Sequence, residues 1–209
     1  MPHYKLTYFP VRGLAEPIRL CFHYAGEKFE DYRVPKDAYG ALKPLTPYGQ
    51  LPILEVDGHQ LVQSGAILRY VARKFNLIGK NEWETAKADE IWSFFYDSMR
   101  AHIRYTHFKG GKPDFPEDTE DSLYSTNFLP IAQKSLSVYS KFLREANSGF
   151  ALPGGLSYAD FVIAEHVQTI ENLDPNLAAT HPDLLDYKRR IHALPQLHNY
   201  LASRPHSVG

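Results

Sequence analysis

Apolar and polar residues alternate with period two from Tyr4 to Phe9, with Leu6 and Tyr8 on one face and Lys5 and Thr7 on the other, which predicts a strand. Pro10 stops it, and Gly13 loosens the turn that follows. From about Ala15 to Ala25 the spacing becomes helical: Ile18, Leu20, Cys21 and Phe22 fall mostly on one side and Gly26 ends the run. Phe29 to Val34 reads as a second strand, and a stretch punctuated by Pro and Gly, loop or helix, continues through Gly49. Ile53 to Val56 and Gln60 to Val62 flank Asp57-Gly58, a strong hairpin dipeptide. A stripe of Ile67, Leu68, Val71, Ala72 and Phe75 then marks an amphipathic helix over Gly65 to Phe75.

After Asn76 no strand pattern recurs. Helical spacing is expected over about Thr85 to Phe108, Leu123 to Glu145, Tyr158 to Asn172, Leu184 to Ala193 and Gln196 to Ser203, with a polar, breaker-rich excursion from Lys109 to Asp121. Ser157 stands three residues before Asp160 and an apolar run follows, the signature of a capping box opening a buried helix. The sequence therefore divides into an α/β domain over residues 1–78 and an all-α domain over residues 84–209.

Composition narrows the function classes. Lys plus Arg number 23 and Asp plus Glu 24, a formal net charge of -1, so the basic footprint of a nucleic-acid binder is missing, as is a polybasic segment for anionic membranes. Cys21 is the one cysteine, which leaves no disulfide framework and fits a reducing compartment. No run approaches the ~18 apolar residues of a membrane span, and the N-terminus lacks the layout of a signal peptide, so a soluble cytoplasmic protein is expected. The common phosphate-loop, dinucleotide and metal-ligand motifs are absent, and the ten histidines show no pair at i, i+3 or i+4 on a helix; no metal site is expected.

Four segments change the picture when taken together: Tyr8-Phe9-Pro10-Val11-Arg12-Gly13-Leu14-Ala15-Glu16, Tyr48-Gly49-Gln50-Leu51-Pro52, Gln63-Ser64-Gly65-Ala66-Ile67, and Leu156-Ser157-Tyr158-Ala159-Asp160. In this order and spacing they resemble the cytosolic glutathione transferases of the tyrosine type, and the resemblance runs the whole length of the chain. The N-terminal strand and Leu54-Glu55-Val56-Asp57-Gly58 are similar to the sigma class, including nematode members, while YFPVRG, YGQLP and QSGAILR also resemble the pi class. The resemblance implies a thioredoxin-like N-terminal domain, an all-helical C-terminal domain and a homodimer.

It also implies a site. Tyr8 would donate its phenol hydrogen bond to the glutathione sulfur. A free thiol of pKa ~8.5 is only a few per cent ionised at neutral pH; half-ionisation needs a shift of ~1.5 units, or ~2 kcal/mol. One hydrogen bond to a charged acceptor supplies about 1.5–3 kcal/mol. On its own, Tyr8 is equally a half-buried strand tyrosine. Leu51-Pro52 would be a cis peptide whose preceding backbone pairs with the cysteinyl unit, the alternative being a trans proline that starts a strand. Gln63 and Ser64 would hold the γ-glutamyl carboxylate at a helix N-terminus, where Ser64 alone could be an N-cap. Lys43, Gln50 and Tyr39 match positions near the glycyl end; Lys43 could equally be a solvated surface lysine.

Asp97 would reach the γ-glutamyl amine across the dimer, with surface solvation as its bland alternative. Phe9, Pro10, Arg104, His107 and the stretch Arg204 to His206 are the expected walls for a hydrophobic electrophile. Position 14 departs from the sigma and pi pattern, which has arginine there; this chain has Leu14. Glutathione is then a cosubstrate and no metal or prosthetic group is required. The same thiolate would serve conjugation of hydrophobic electrophiles in detoxification, glutathione peroxidase chemistry or prostaglandin isomerisation. The rivals are a ligandin storing haem or other flat apolar molecules, and a crystallin-like relative that has lost activity.

Overall fold

The computed structural model describes residues 2–35 and 37–209. The chain forms two compact units, Met1–Leu77 with Pro195–His206, and Ile78–Leu194 with Ser207–Gly209. The segment 195–206, which sequence reasoning placed in the helical domain, thus packs with the α/β unit.

In the first unit β1 (Tyr4–Tyr8) leads through a single 3-10 turn, Gly13–Ala15, into α1 (Glu16–Ala25). Pro17 sits in the first turn of α1, where its missing N–H costs nothing, and Gly26 closes the helix in the left-handed region. β2 (Glu30–Arg33) pairs parallel with β1, and the short α2 (Tyr39–Leu42) fills part of the stretch the sequence left open. β3 (Ile53–Val56) and β4 (His59–Val62) form the hairpin expected around Asp57-Gly58, both of which adopt positive φ. The four strands lie in the order β2-β1-β3-β4, and α3 (Ser64–Lys74) follows. Leu6, Ile18, Leu20, Phe22, Leu54 and Leu68 are fully buried, the shared core of sheet and helices. Cys21 is buried among them and burial pushes its thiol pKa up, so it packs as a small apolar residue.

The second unit is helical throughout its described residues. α4 (Glu82–Lys109) is capped by Asn81, whose side chain accepts the Glu84 N–H. The sequence expects one helix over 123–145. The structure has α5 (Glu120–Leu123), a π-helical turn Tyr124–Phe128 and α6 (Leu129–Ala146). Pro130 supplies the reason for the break, since it cannot donate into the preceding turn and is tolerated where a new helix begins. α7 (Tyr158–Leu173) is buried along nearly its whole length, and the capping box at Ser157 and Asp160 forms as expected. α8 (Pro175–Ala179), unread in the sequence, and α9 (Pro182–His192) complete this unit, while α10 (His198–Ser203) belongs to the first.

Two buried polar clusters anchor the second unit. The Asp160 carboxylate accepts from Ser157 N and Ala151 N at 2.8 Å and from the Tyr187 hydroxyl at 2.6 Å. His102 on α4 and His166 on α7 meet Nε2 to Nε2 at 2.9 Å, with the Tyr139 hydroxyl 2.7 Å from His166 Nδ1. These histidines are 64 residues apart on different helices, so no helical spacing within one segment could reveal them.

Candidate active site

The register of the sheet brings the site together. Thr7 lies opposite Ile53, and Ile53 opposite Val62. Tyr8, Pro52 and Gln63 are therefore the next residues on three neighbouring strands, all leaving the sheet at one end. The Leu51-Pro52 bond is cis, as the sequence expects.

Tyr8 is almost fully buried, and its phenol oxygen accepts the Leu14 N–H at 3.2 Å. The turn that aims this N–H depends on Gly13, whose φ is +43°; a Cβ there would lie 2.7 Å from the Tyr8 oxygen. The phenol proton itself is given to no acceptor among the described residues. Burial raises the Tyr8 pKa, while the Leu14 N–H and the charge of Arg19 pull it down less strongly. Tyr8 thus stays protonated at neutral pH and has a hydrogen bond to donate, polarised by the one it receives.

Gln63 is the N-cap residue of α3, with φ +73°, and its side chain does not cap the helix. That leaves the first N–H groups of α3 open, a ready site for a carboxylate. Ser64 is the first residue of this helix rather than its cap; it is buried, and its hydroxyl makes no hydrogen bond among the described residues. Gln63 Nε2 reaches Gln50 Oε1 at 3.5 Å. The Phe9 ring stands edge-on to Tyr39 at 4.8 Å and to Tyr8 at 5.4 Å. The Tyr39 hydroxyl donates to the Gly49 carbonyl at 2.8 Å, and the exposed Lys43 side chain runs beside Gly49. Tyr39 therefore spends its proton on the loop instead of holding it for a ligand carboxylate. Tyr8, Phe9, Tyr39, Lys43, Gln50, Leu51, Pro52, Gln63 and Ser64 all belong to this one unit, as does the half-buried Pro10.

The remaining expected residues sit in the second unit. Asp97 is exposed on α4. Arg104 forks onto the Asp118 carboxylate and stacks over the Phe115 ring at 4.4 Å, and His107 Nδ1 lies 3.0 Å from Asp114. Both side chains are engaged in pinning the loop after α4. Arg204, in the stretch expected as a wall, contacts Glu16 at 2.8 Å within the first unit.

The sequence reading missed Arg19. Its side chain is completely buried, 3.0 Å from both Glu16 and Asp31, and it donates to the Val11 carbonyl at 2.8 Å and the Phe9 carbonyl at 3.4 Å. The signal was Glu16 three residues before Arg19 on a helix whose other central positions are apolar.

Comparison with known proteins matches residues 4–73 to the model "Glutathione S-transferase, N-terminal domain" and residues 106–204 to "Glutathione S-transferase, C-terminal domain". The chain belongs to the glutathione S-transferase family. Among its relatives, "Probable glutathione S-transferase 8" of Caenorhabditis elegans and "Glutathione S-transferase 1" of Ascaris suum are each 40% identical over 98% of both chains. The solved glutathione S-transferase of Ascaris lumbricoides is 39% identical with a TM-score of 0.90, covering 99% of this chain and 100% of that one. The α/β unit is accordingly the thioredoxin-like domain of this family, and the second unit its helical domain.

Proposed function

We propose that this transferase binds glutathione at the Tyr8 end of the sheet and transfers its thiolate to hydrophobic electrophiles. The observation that carries the reading is the pairing of Tyr8 with Leu14: the phenol oxygen accepts a main-chain N–H and keeps its proton to donate. A donated hydrogen bond favours the thiolate over the thiol, and bringing two reactants together supplies the rest. The first N–H groups of α3 and Ser64 bind the γ-glutamyl carboxylate. The main chain at Leu51-Pro52 pairs with the cysteinyl unit, and Gln50 and Lys43 serve the glycyl end. Main chain at position 14 takes over part of what an arginine side chain does in sigma and pi relatives. No metal or prosthetic group enters the reaction.

Finer assignments follow from the same site. Phe9 and Pro10, half-buried beside Tyr8, form one wall for the electrophile. The class is sigma-like, although a solved relative from Haemonchus contortus, 37% identical with a TM-score of 0.87 over both full chains, is titled Nu-class. A rat structure titled hPGDS, bound to a quinoline, is 28% identical with a TM-score of 0.87 over 99% of this chain, which keeps prostaglandin isomerisation within the same thiolate chemistry. The protein acts as a cytoplasmic homodimer, with Asp97 completing the partner's glutathione site. Leu45 and Tyr48, 79% and 65% exposed, offer apolar surface for a second copy. One solved relative, 35% identical with a TM-score of 0.89, is titled as a monomer, so sedimentation of this chain decides the assembly.

The deciding experiment is the thiol pKa of bound glutathione, read from ultraviolet thiolate absorbance, in the parent and in Tyr8→Phe. The parent value is expected ~1.5 units below that of free glutathione, with most of the shift lost on removal of the hydroxyl. An unshifted pKa in both would move the assignment to a ligandin-type binding protein on a transferase scaffold.

A further inference from the structure

The C-terminal segment of the first unit ends on the charge cluster beneath Tyr8. Glu16 is fully buried and divides its carboxylate: Oε2 accepts from Arg19 at 3.0 Å, while Oε1 accepts from the Tyr200 hydroxyl at 2.9 Å and from Arg204 at 2.8 Å. Arg33 donates to the Tyr200 oxygen at 3.2 Å and to Asp31 at 2.9 Å, and the Tyr200 ring lies flat on His23 at 4.0 Å. Three guanidiniums and two carboxylates thus meet here. Its central member, Arg19, holds the carbonyls of Phe9 and Val11, in the loop between Tyr8 and Leu14, and lies 5.8 Å from the Tyr8 ring centre.

We propose that Tyr200 and Arg204 are positioning residues for the reaction: through Glu16 and Arg19 they fix the loop that presents the Leu14 N–H to Tyr8. This rests on the thiolate reading of Tyr8. It accounts for activation in a chain with Leu14, because a main-chain N–H held at the Tyr8 oxygen polarises the hydroxyl that donates to the sulfur. Without Arg204 Glu16 loses a charged donor, and without the Tyr200 hydroxyl Glu16 and Arg33 each lose a partner. Arg19 is then free to follow Glu16 away from the loop.

The test uses the full chain with glutathione and titrates the bound thiol by ultraviolet absorbance in the parent, Tyr200→Phe, Arg204→Gln, their double variant and Tyr8→Phe. The double variant is expected to titrate about 0.5 unit higher, a roughly twofold loss of thiolate at neutral pH. Turnover should fall in the same ratio near neutrality and recover at alkaline pH, with KM for glutathione within about twofold, as loss of a transition-state term without loss of binding requires. Arg204→Lys, which keeps the charge, should restore most of the shift. Should the double variant fail to fold, Tyr200→Phe alone, which keeps the ring on His23, carries the test with a smaller shift in the same direction. A bound-thiol titration unmoved in the Tyr200 and Arg204 variants but moved in Tyr8→Phe overturns the proposal, as does an activity loss equal at every pH. If Tyr8→Phe itself leaves the titration unmoved, the thiolate reading falls first and this proposal with it.

Discussion

Gly13→Ala tests the site at its tightest contact. The added Cβ would lie 2.7 Å from the Tyr8 oxygen, 3.2 Å from Cε1 and 3.4 Å from Cζ. Ordinary van der Waals separation requires the phenol oxygen to retreat by roughly 0.5 Å. The Leu14 N–H bond is already long at 3.2 Å, so that retreat takes it past the useful range. Losing a neutral hydrogen bond of about 0.5–1.5 kcal/mol raises the bound-thiol pKa by about 0.4–1.1 units. Thiolate and turnover at neutral pH then fall by about 2- to 7-fold. Alanine at φ +43° adds about 1–2 kcal/mol of backbone cost, or about 2–8 °C in Tm for a chain of this size. Thiolate absorbance, initial rates with a generic aromatic halide and a circular-dichroism melt measure the three quantities. A folded Gly13→Ala protein whose bound thiol titrates like the parent's would refute the reasoning, because the glycine would then not be what keeps the Tyr8 hydroxyl in place.

Asp160→Ala leaves the buried Ser157 N, Ala151 N and Tyr187 hydroxyl without their acceptor, at about 1–3 kcal/mol each. A drop of at least ~3 kcal/mol in urea unfolding is expected, and one below ~1 kcal/mol would contradict the assignment of a buried carboxylate hub. Burial lowers the His102 pKa to about 4, against ~6.5 when unfolded. The unfolded state therefore binds the proton first, and this contribution to stability is complete above pH ~6.5 and lost as pH falls toward ~4, by up to ~3 kcal/mol. Urea midpoints near pH 7.5 and 4.5 should draw apart less in His102→Gln than in the parent; equal separations would mean that this imidazole carries no pH dependence.

Much of the architecture was legible because it is locally encoded. The β1 alternation, the stripe of α3, the Asp-Gly hairpin and the Ser157–Asp160 box each specify backbone conformation over a few residues, and each forms within a residue or two of its expected position. Eight of the expected glutathione-site residues, Tyr8 to Ser64, also lie in one unit, because strand ends and a helix start are read from the same punctuation. Local pattern was weaker where a break depends on a single proline, as at Pro130, or where a side chain's partner is distant. The sequence names Arg104 and His107 without showing that Asp118 and Asp114 occupy them.

By itself, then, the sequence determined the order of the main elements, the two-part organisation and the residue types at the strand ends, since these follow from periodicity, capping and turn chemistry within short windows. Tertiary structure alone decided which N–H reaches the Tyr8 oxygen, that Tyr39 spends its proton on Gly49, and that His102 meets His166 across 64 residues. It also decided that residues near 200 close onto Glu16 and Arg19 instead of staying with the helical unit. Buried charge has no periodic signature. An arginine on an apolar helix reads as solvent-facing until the carboxylates that neutralise it, 3 to 12 residues away here, and the hydroxyl and guanidinium more than 180 residues on, arrive through the fold.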